Sequence, residues 1–391
     1  MAQSFNPEYD KAITLSDGST IGHFPKDPAL FLDRSAVYYG ASGSGKTTAI
    51  NEELYLLKDK IPNVAAFVPT NILNDSYTDT IPSNIIHQQL TRMKVEKIYS
   101  DQERKAQLYS MINKIETLRP IFQKIKTIPS LVNHYNKILQ SISSVDCKLK
   151  MFLKRIDAQK SLTRADKEKH SKTAKKQCKN KIMNFYKDAI ISCRDVLLAL
   201  NNNDMEKTII TYIALNPRLL LIFDDCIEEI NAISGKSKNK HGEMESSVME
   251  KIFTKGRWLY ITCIIATQDD NKVSTTIRKN AYVSIFTEGE CAQHFMNNKS
   301  NSIMNTKKKR ANLAIEAIFS DESKDNHKKL VYYRLGNEHN TFTYKIADLY
   351  EQFRIGSDVL WKYCELAERQ CDDKKRQFLA SWTSKKEPIE Q

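Results

Sequence analysis

One run constrains this chain more than any other: Gly40-Ala41-Ser42-Gly43-Ser44-Gly45-Lys46-Thr47. It lies between a β-branched and aromatic segment, Ser35–Tyr39, and a segment of helical texture, Lys46–Leu57. Glycines in such a loop let successive backbone N–H groups turn toward one anion, and the following helix presents its positive end to the same point. The pattern Gly-x-x-x-x-Gly-Lys-Thr in a strand–loop–helix setting therefore points to a nucleotide phosphate chain. Lys46 is expected to reach the β- and γ-phosphates and Thr47 to offer its hydroxyl to Mg²⁺, with Ser42, Gly43, Ser44, Gly45 and Thr48 completing the cradle. ATP and Mg²⁺ are the expected cofactors.

The rest of the chain supplies a sheet for that loop. A second strand is expected at 64–68, closed by Pro69, so the chain opens as β-loop-α-β, the start of a parallel sheet. Continuous apolar runs recur at 219–223 and 259–266, as in strands buried on both faces. Further strands are expected at 281–286 and 329–333, and a polar helix at 357–380. Between the two sheet regions, apolar residues recur at helical spacing (Leu108, Met111, Ile112, Ile115; then Leu131, Tyr135, Ile138, Leu139, Ile142), with Pro120 and Pro129 expected to separate helices. The expected fold is α/β, a RecA-like P-loop core with a mainly parallel sheet flanked by helices, plus a long α-helical insertion. Its parts are an N-terminal extension at 1–34, the core at 35–84 and 215–345, the insertion at 85–214 and a C-terminal helical segment at 346–391.

Composition narrows the partners. A formal charge of +13 over 391 residues favours an anionic partner. Residues 148–187 hold fourteen Lys and Arg against three acids, close to the whole excess. The eight cysteines form no Cys-x-x-Cys pair and read as free thiols of a reducing compartment. The N-terminus lacks a charged head with an apolar run, and no stretch has the length of a membrane span, so a soluble, intracellular site of action is expected.

Acids and amides at strand ends carry the remaining chemistry. Asp224 and Asp225 close the run at 219–223, where one carboxylate can hold the hydration shell of Mg²⁺ and the next can deprotonate an attacking water. Gln268 ends the run at 259–266 and can sense the γ-phosphate or position water. Arg257 is a candidate arginine finger acting on an adjacent subunit, and Arg278 a second candidate for contact across that interface. Candidates for DNA contact are the loop Gly235-Lys236-Ser237-Lys238-Asn239-Lys240-His241, the run Lys307-Lys308-Lys309-Arg310 and the basic insertion.

These motifs together resemble a known family. A strand at 64–68 precedes the acid-pair strand, and a polar Gln268 ends the strand after it, as in the additional-strand, catalytic-acid branch of P-loop ATPases. Within that branch, Lys255-Gly256-Arg257 ahead of Ala266-Thr267-Gln268, the run from Ile277-Arg278 to Phe286, and the segment from Val68-Pro69 to Ser76-Tyr77 look like the FtsK–HerA superfamily, and within it the genome-packaging ATPases of poxvirus type. The resemblance covers about residues 35 to 84 and 215 to 345 and leaves the insertion out. It implies an ATP-driven double-stranded DNA translocase, assembled as a homo-oligomeric ring (pentamer or hexamer). Such a motor packages a viral genome into a preformed capsid beside capsid or inner-membrane vertex proteins, in the virion and at assembly sites in the host-cell cytoplasm. Two readings stay open beside it: a P-loop nucleotide switch or kinase, although no Asn-Lys-x-Asp guanine signal is present, and an ATP-dependent assembly factor that does not move DNA.

Overall fold

The computed structural model describes residues 11–70, 76–235, 237–238, 244–268, 270–320, 327–337 and 340–383. The chain divides into two units, Met1–Gln102 with Pro217–Gln391, and Glu103–Asn216.

The first unit is built on an eight-stranded sheet. Its strands in chain order are β1 (Ser35–Tyr39), β2 (Asn63–Phe67), β3 (Ile86–His87), β4 (Leu219–Asp224), β5 (Ile261–Thr267), β6 (Val283–Phe286), β7 (Lys328–Tyr333) and β8 (Phe342–Ile346). In space they run β8-β7-β6-β1-β5-β4-β2-β3. Strands β6 through β3 are parallel, whereas β7 and β8 pair antiparallel at the other edge. This is the expected mainly parallel α/β fold.

Burial on both faces explains the continuous apolar runs. Val37, Tyr39, Leu221, Phe223, Cys263 and Ile265 face one buried cluster, and Ala36, Tyr38, Leu220, Ile222, Ile264 and Ala266 face another. The second cluster takes Ile50, Leu54 and Leu57 of helix α1 (Lys46–Leu57). The first takes residues of three helices that return along the opposite face, Val248–Lys255, Gly289–Asn297 and Asn305–Phe319. The chain leaves and re-enters this unit at a shared anchor: Gln102 Nε2 donates to the carbonyls of Pro217 and Leu259, both at 2.6 Å.

Sheet order differs from sequence order. The strand between the loop-bearing β1 and the acid-bearing β4 is β5, and β2 lies beyond β4. Two expectations are corrected. Strand β5 begins at Ile261, not at 259, because Gly256–Leu259 is a 3-10 turn and Tyr260 adopts a left-handed conformation, φ 59°. Pro120 breaks nothing; it lies inside the helix Ile115–Lys124, and the break falls at Asn113 and Lys114.

The second unit is helical. After α2 (Arg92–Ile112) come α3 (Ile115–Lys124), α4 (Val132–Ala158), α5 (Arg164–Ser192), α6 (Arg194–Leu198) and α7 (Asp204–Thr211). Ile112, Leu118, Phe122, Tyr186, Ile190, Leu197 and Ile210 form its core. Helix α7 starts with a capping box between Asn203 and Glu206, and Lys124 pairs with Glu206 at 2.7 Å. Among the described residues no helix is long and apolar enough to cross a membrane, and all eight cysteines are free.

Candidate functional site

Register aligns the functional strand ends. Tyr39 lies opposite Thr267, Asp224 opposite Ala266, and Phe286 opposite Tyr39. Gly40, Asp225, Gln268 and Thr287 therefore step off the sheet at one level. The carboxyl ends of parallel strands are where α/β sheets place their ligands. A cavity of about 270 Å³ opens there, lined by Ser42, Gly43, Gly45, Lys46, Thr47, Thr48, Thr70, Ser76, Asp224, Asp225, Ala266, Thr267 and Gln268.

Backbone conformation shapes the loop. Gly43 and Gly45 sit at φ 76° and 84°, left-handed positions that favour glycine. Gly40, at φ 153°, has a second requirement, since a Cβ there would lie 1.7 Å from Thr287 Oγ1. The end of β6 braces the loop through that contact: Thr287 Oγ1 and Ser44 Oγ are 2.7 Å apart, and Glu288 Oε2 accepts from the Ala41 N–H at 3.2 Å. Lys46 Nζ donates to the Gly40 and Ala41 carbonyls, both at 2.7 Å. Burial pushes its ammonium pKa down, against the opposing pull of Asp224, Glu288 and Asp225. A polyphosphate would supply the counter-charge that this half-buried ammonium lacks.

The acids differ in environment. Asp224 is held by the Tyr77 hydroxyl, which donates to Oδ2 at 2.8 Å, and burial raises its pKa against that hydrogen bond and the Lys46 charge. Asp225 takes a left-handed backbone, φ 51°, rare outside glycine, and strain of this kind collects at functional positions. That turn swings its carboxylate toward Gln268, whose Nε2 donates to Oδ1 at 3.3 Å. The Thr47 hydroxyl and the Asp224 carboxylate line the same cavity, a hard-oxygen pair of the kind Mg²⁺ takes while keeping several waters.

The two arginines part company. Arg257 is exposed at the opposite end of β5 from Gln268, about 20 Å away over a seven-residue strand, so it cannot reach its own chain's cavity. Arg278 is 7% exposed and turned inward, with Nη1 3.4 Å from Asp270 and Nη2 3.0 Å from Ser300 Oγ. In this conformation it is not presented to a neighbouring subunit. Of the basic runs, Lys307 to Arg310 lie in the first turns of helix Asn305–Phe319, with Arg310 Nη2 donating to the Thr20 carbonyl at 3.1 Å. Residues 236 and 239–241 of the lysine loop, and 71–75 of the segment after β2, lie outside the described residues.

Sequence reasoning missed Tyr77, Thr287 and Glu288 as site residues. Tyr77 stood inside a quoted motif, but its reach to Asp224 needs β2 beside β4. Thr287 and Glu288 became legible only with β6 beside β1.

Strand order, glycine loop and strand-end acids together form a P-loop nucleotide-binding core, with β5 inserted between the loop strand and the acid strand. Among known proteins, no family model matches the chain. It is similar to the African swine fever virus protein B354L, itself uncharacterized: 26% identical over 367 residues to that of a Kenyan pig isolate and 27% over 371 residues to that of a Namibian warthog isolate, with 90% of this chain and 93% of the relative covered in each case. Similar solved structures include the genome packaging NTPase B204 of Sulfolobus turreted icosahedral virus 2 with ATP-gammaS (11% identity, TM-score 0.32, 83% of this chain and 100% of that one). The pCW3 conjugation coupling protein TcpA is another (12%, TM-score 0.36, 88% and 69%).

Proposed function

We propose that the chain is a Mg²⁺-dependent ATPase that moves double-stranded DNA, packaging a viral genome into a preformed capsid. The observation that carries the ATPase is the convergence of Lys46, Thr47, Asp224, Asp225 and Gln268 on one cavity at the ends of adjacent parallel strands. Lys46 and the loop N–H groups bind and orient the phosphates. Thr47, and Asp224 through the ion's hydration shell, would hold Mg²⁺, which would supply charge neutralisation for the phosphate chain. Asp225 takes the proton of the attacking water, and Gln268, hydrogen-bonded to it, orients that water.

The DNA-moving half of the proposal is supported by the FtsK–HerA-like motifs, by the basic charge and by similarity over 90% of the chain to proteins of a large DNA virus. A homo-oligomeric ring, pentamer or hexamer, is proposed because Arg257 lies too far from its own cavity and would serve a neighbour's through a head-to-tail interface. Capsid or inner-membrane vertex proteins are the proposed docking partners, and the virion and host-cell cytoplasm the proposed locations.

The test is ATP turnover by the wild type, Lys46→Ala and Asp225→Asn, each with and without long duplex DNA at low salt. Turnover that rises with DNA and vanishes in both variants is the expected result. Nucleotide binding without DNA-sensitive turnover would replace the translocase with the switch or assembly-factor reading.

A further inference from the structure

Helices α4 and α5, joined by residues 159–163, run antiparallel: Lys167 Nζ donates to the Asp157 carbonyl at 2.8 Å, and the Cys178 thiol lies 3.7 Å from Asp146 Oδ1. Toward the connecting turn the shared core thins to Ile156 and Cys178, and the surface becomes lysine. Lys169, Lys172, Lys175, Lys176 and Lys179 are all exposed. At 100° per residue they fall in a sector of about 120° over about 15 Å of helix. Glu168 is the one acid in that sector. On α4, Lys148, Lys150, Lys154 and Arg155 are exposed as well.

Such a face is costly for a helix that is only solvated. Lys169–Lys172, Lys172–Lys175, Lys172–Lys176, Lys175–Lys179 and Lys176–Lys179 are like-charge neighbours at three or four residues, each opposing the helix by a few tenths of a kcal/mol. None of the five lysines has an ion-pair partner among the described residues, whereas Arg92 of α2 has Glu96 one turn on at 2.8 Å. A polyanion would reverse the sign of these repulsions. A duplex strand carries a phosphate about every 3.4 Å along its axis, so the stripe spans about four phosphates. On α5 a membrane surface is a poorer match, because the exposed positions flanking the lysines are Thr173, Gln177 and Asn180 in place of the apolar residues that enter a bilayer; the exposed Met151 and Phe152 lie on α4.

We propose that the lysine face of α5, with the basic end of α4, is a sequence-independent contact surface for the phosphate backbone of double-stranded DNA. It rests on the DNA-moving reading above and gives that reading a location.

The test uses the full chain and a fluorescent duplex over a salt series. Replacing the five α5 lysines by Gln keeps helix propensity and removes the charge. Binding is expected to weaken at least about tenfold at low salt, and the dependence of log K on log salt to become shallower by about 0.9 per lost phosphate contact. Replacing the five by Arg should restore both. A second variant, Thr173→Glu with Asn180→Glu, adds acids four residues after Lys169 and Lys176; it should leave the helix intact yet weaken DNA binding, which a purely structural role for these lysines does not predict. Unchanged affinity and slope in the Gln and Glu variants, with DNA still stimulating turnover, would overturn this surface and leave the translocase standing. A wild type indifferent to duplex DNA would sink both. Binding to anionic lipid vesicles in place of duplex, lost in the Gln variant, would assign the face to a membrane instead.

Discussion

Asp225 combines two features that its position in the sequence did not announce together, a left-handed backbone and a hydrogen bond from the Gln268 amide. Removing its charge in Asp225→Asn should lower turnover by about 10² to 10⁴, the range of a lost general base, while leaving fluorescent-nucleotide binding within about twofold. Tyr77 acts one step back. Its hydroxyl orients Asp224, so Tyr77→Phe should cost about 1 kcal/mol of stability and raise the Mg²⁺ concentration for half-maximal turnover, with saturating turnover little changed. A shift in maximal turnover with no change in Mg²⁺ dependence would place Tyr77 outside this role. The contrast between these two residues marks how far the sequence could be read. Lys46, Thr47 and the acid pair announce themselves because loop and strand-end chemistry is local in sequence. Tyr77 depends on which strands adjoin, and the inward turn of Arg278 depends on Asp270 and Ser300 meeting it.

Among the elements, β6 contributes most that was unforeseen, because its end buttresses the phosphate loop from a neighbouring strand. Glu288 places a carboxylate on the loop's Ala41 N–H. Its negative charge opposes a bound polyphosphate, so Glu288→Gln should keep the acceptor oxygen and tighten nucleotide binding by on the order of fivefold, about 1 kcal/mol. Equilibrium titration of a fluorescent ATP analogue reads this directly, and weaker binding would show the carboxylate to be a needed support. Gly40→Ala should fail outright, since its methyl would fall on Thr287 Oγ1, and loss of nucleotide binding without loss of the folded core is the expected result. Strands β1 and β4 and helix α1 were readable almost to the residue, because unbroken apolar runs and a glycine stop leave few alternatives. The start of β5 was not. Leu259 and Tyr260 look like strand by type, yet the 3-10 turn of Gly256–Leu259 and the left-handed Tyr260 take them out of the ladder. Pro120 misled for the opposite reason: its surroundings in α3 bury Leu118, Ile121 and Phe122, and that packing outweighs the lost backbone hydrogen bond.

At the scale of the whole molecule, the phosphate loop rests on buried charge. On the buried face of α1, Glu52 is fully buried and pairs with Lys345 at 2.7 Å and Lys26 at 3.0 Å, while Tyr38 donates to the neighbouring Glu53. Lys329, 4% exposed on β7, lies against the loop at Gly45 and donates to the His327 carbonyl at 3.0 Å. Burial, reinforced by the Lys345 charge, pushes its pKa from 10.5 down to about 8, and burial lifts Glu53 from 4.5 to about 7. The two act on stability with opposite slopes. Between pH 4.5 and 7 the native state holds more protons than the unfolded chain at Glu53, so this contribution falls as pH rises. Between pH 8 and 10.5 the native state holds fewer at Lys329, so that contribution rises with pH. Lys329→Met removes a buried ammonium of similar length, and it should therefore be at least as stable as the wild type at pH 7, with the advantage shrinking as pH passes from 8 to 10.5. Thermal unfolding midpoints across that window measure the difference. A constant offset between the two proteins would mean that Lys329 stays charged inside the fold, held by the Glu52 side of the cluster, and that the loop rests on a permanent positive charge at Gly45.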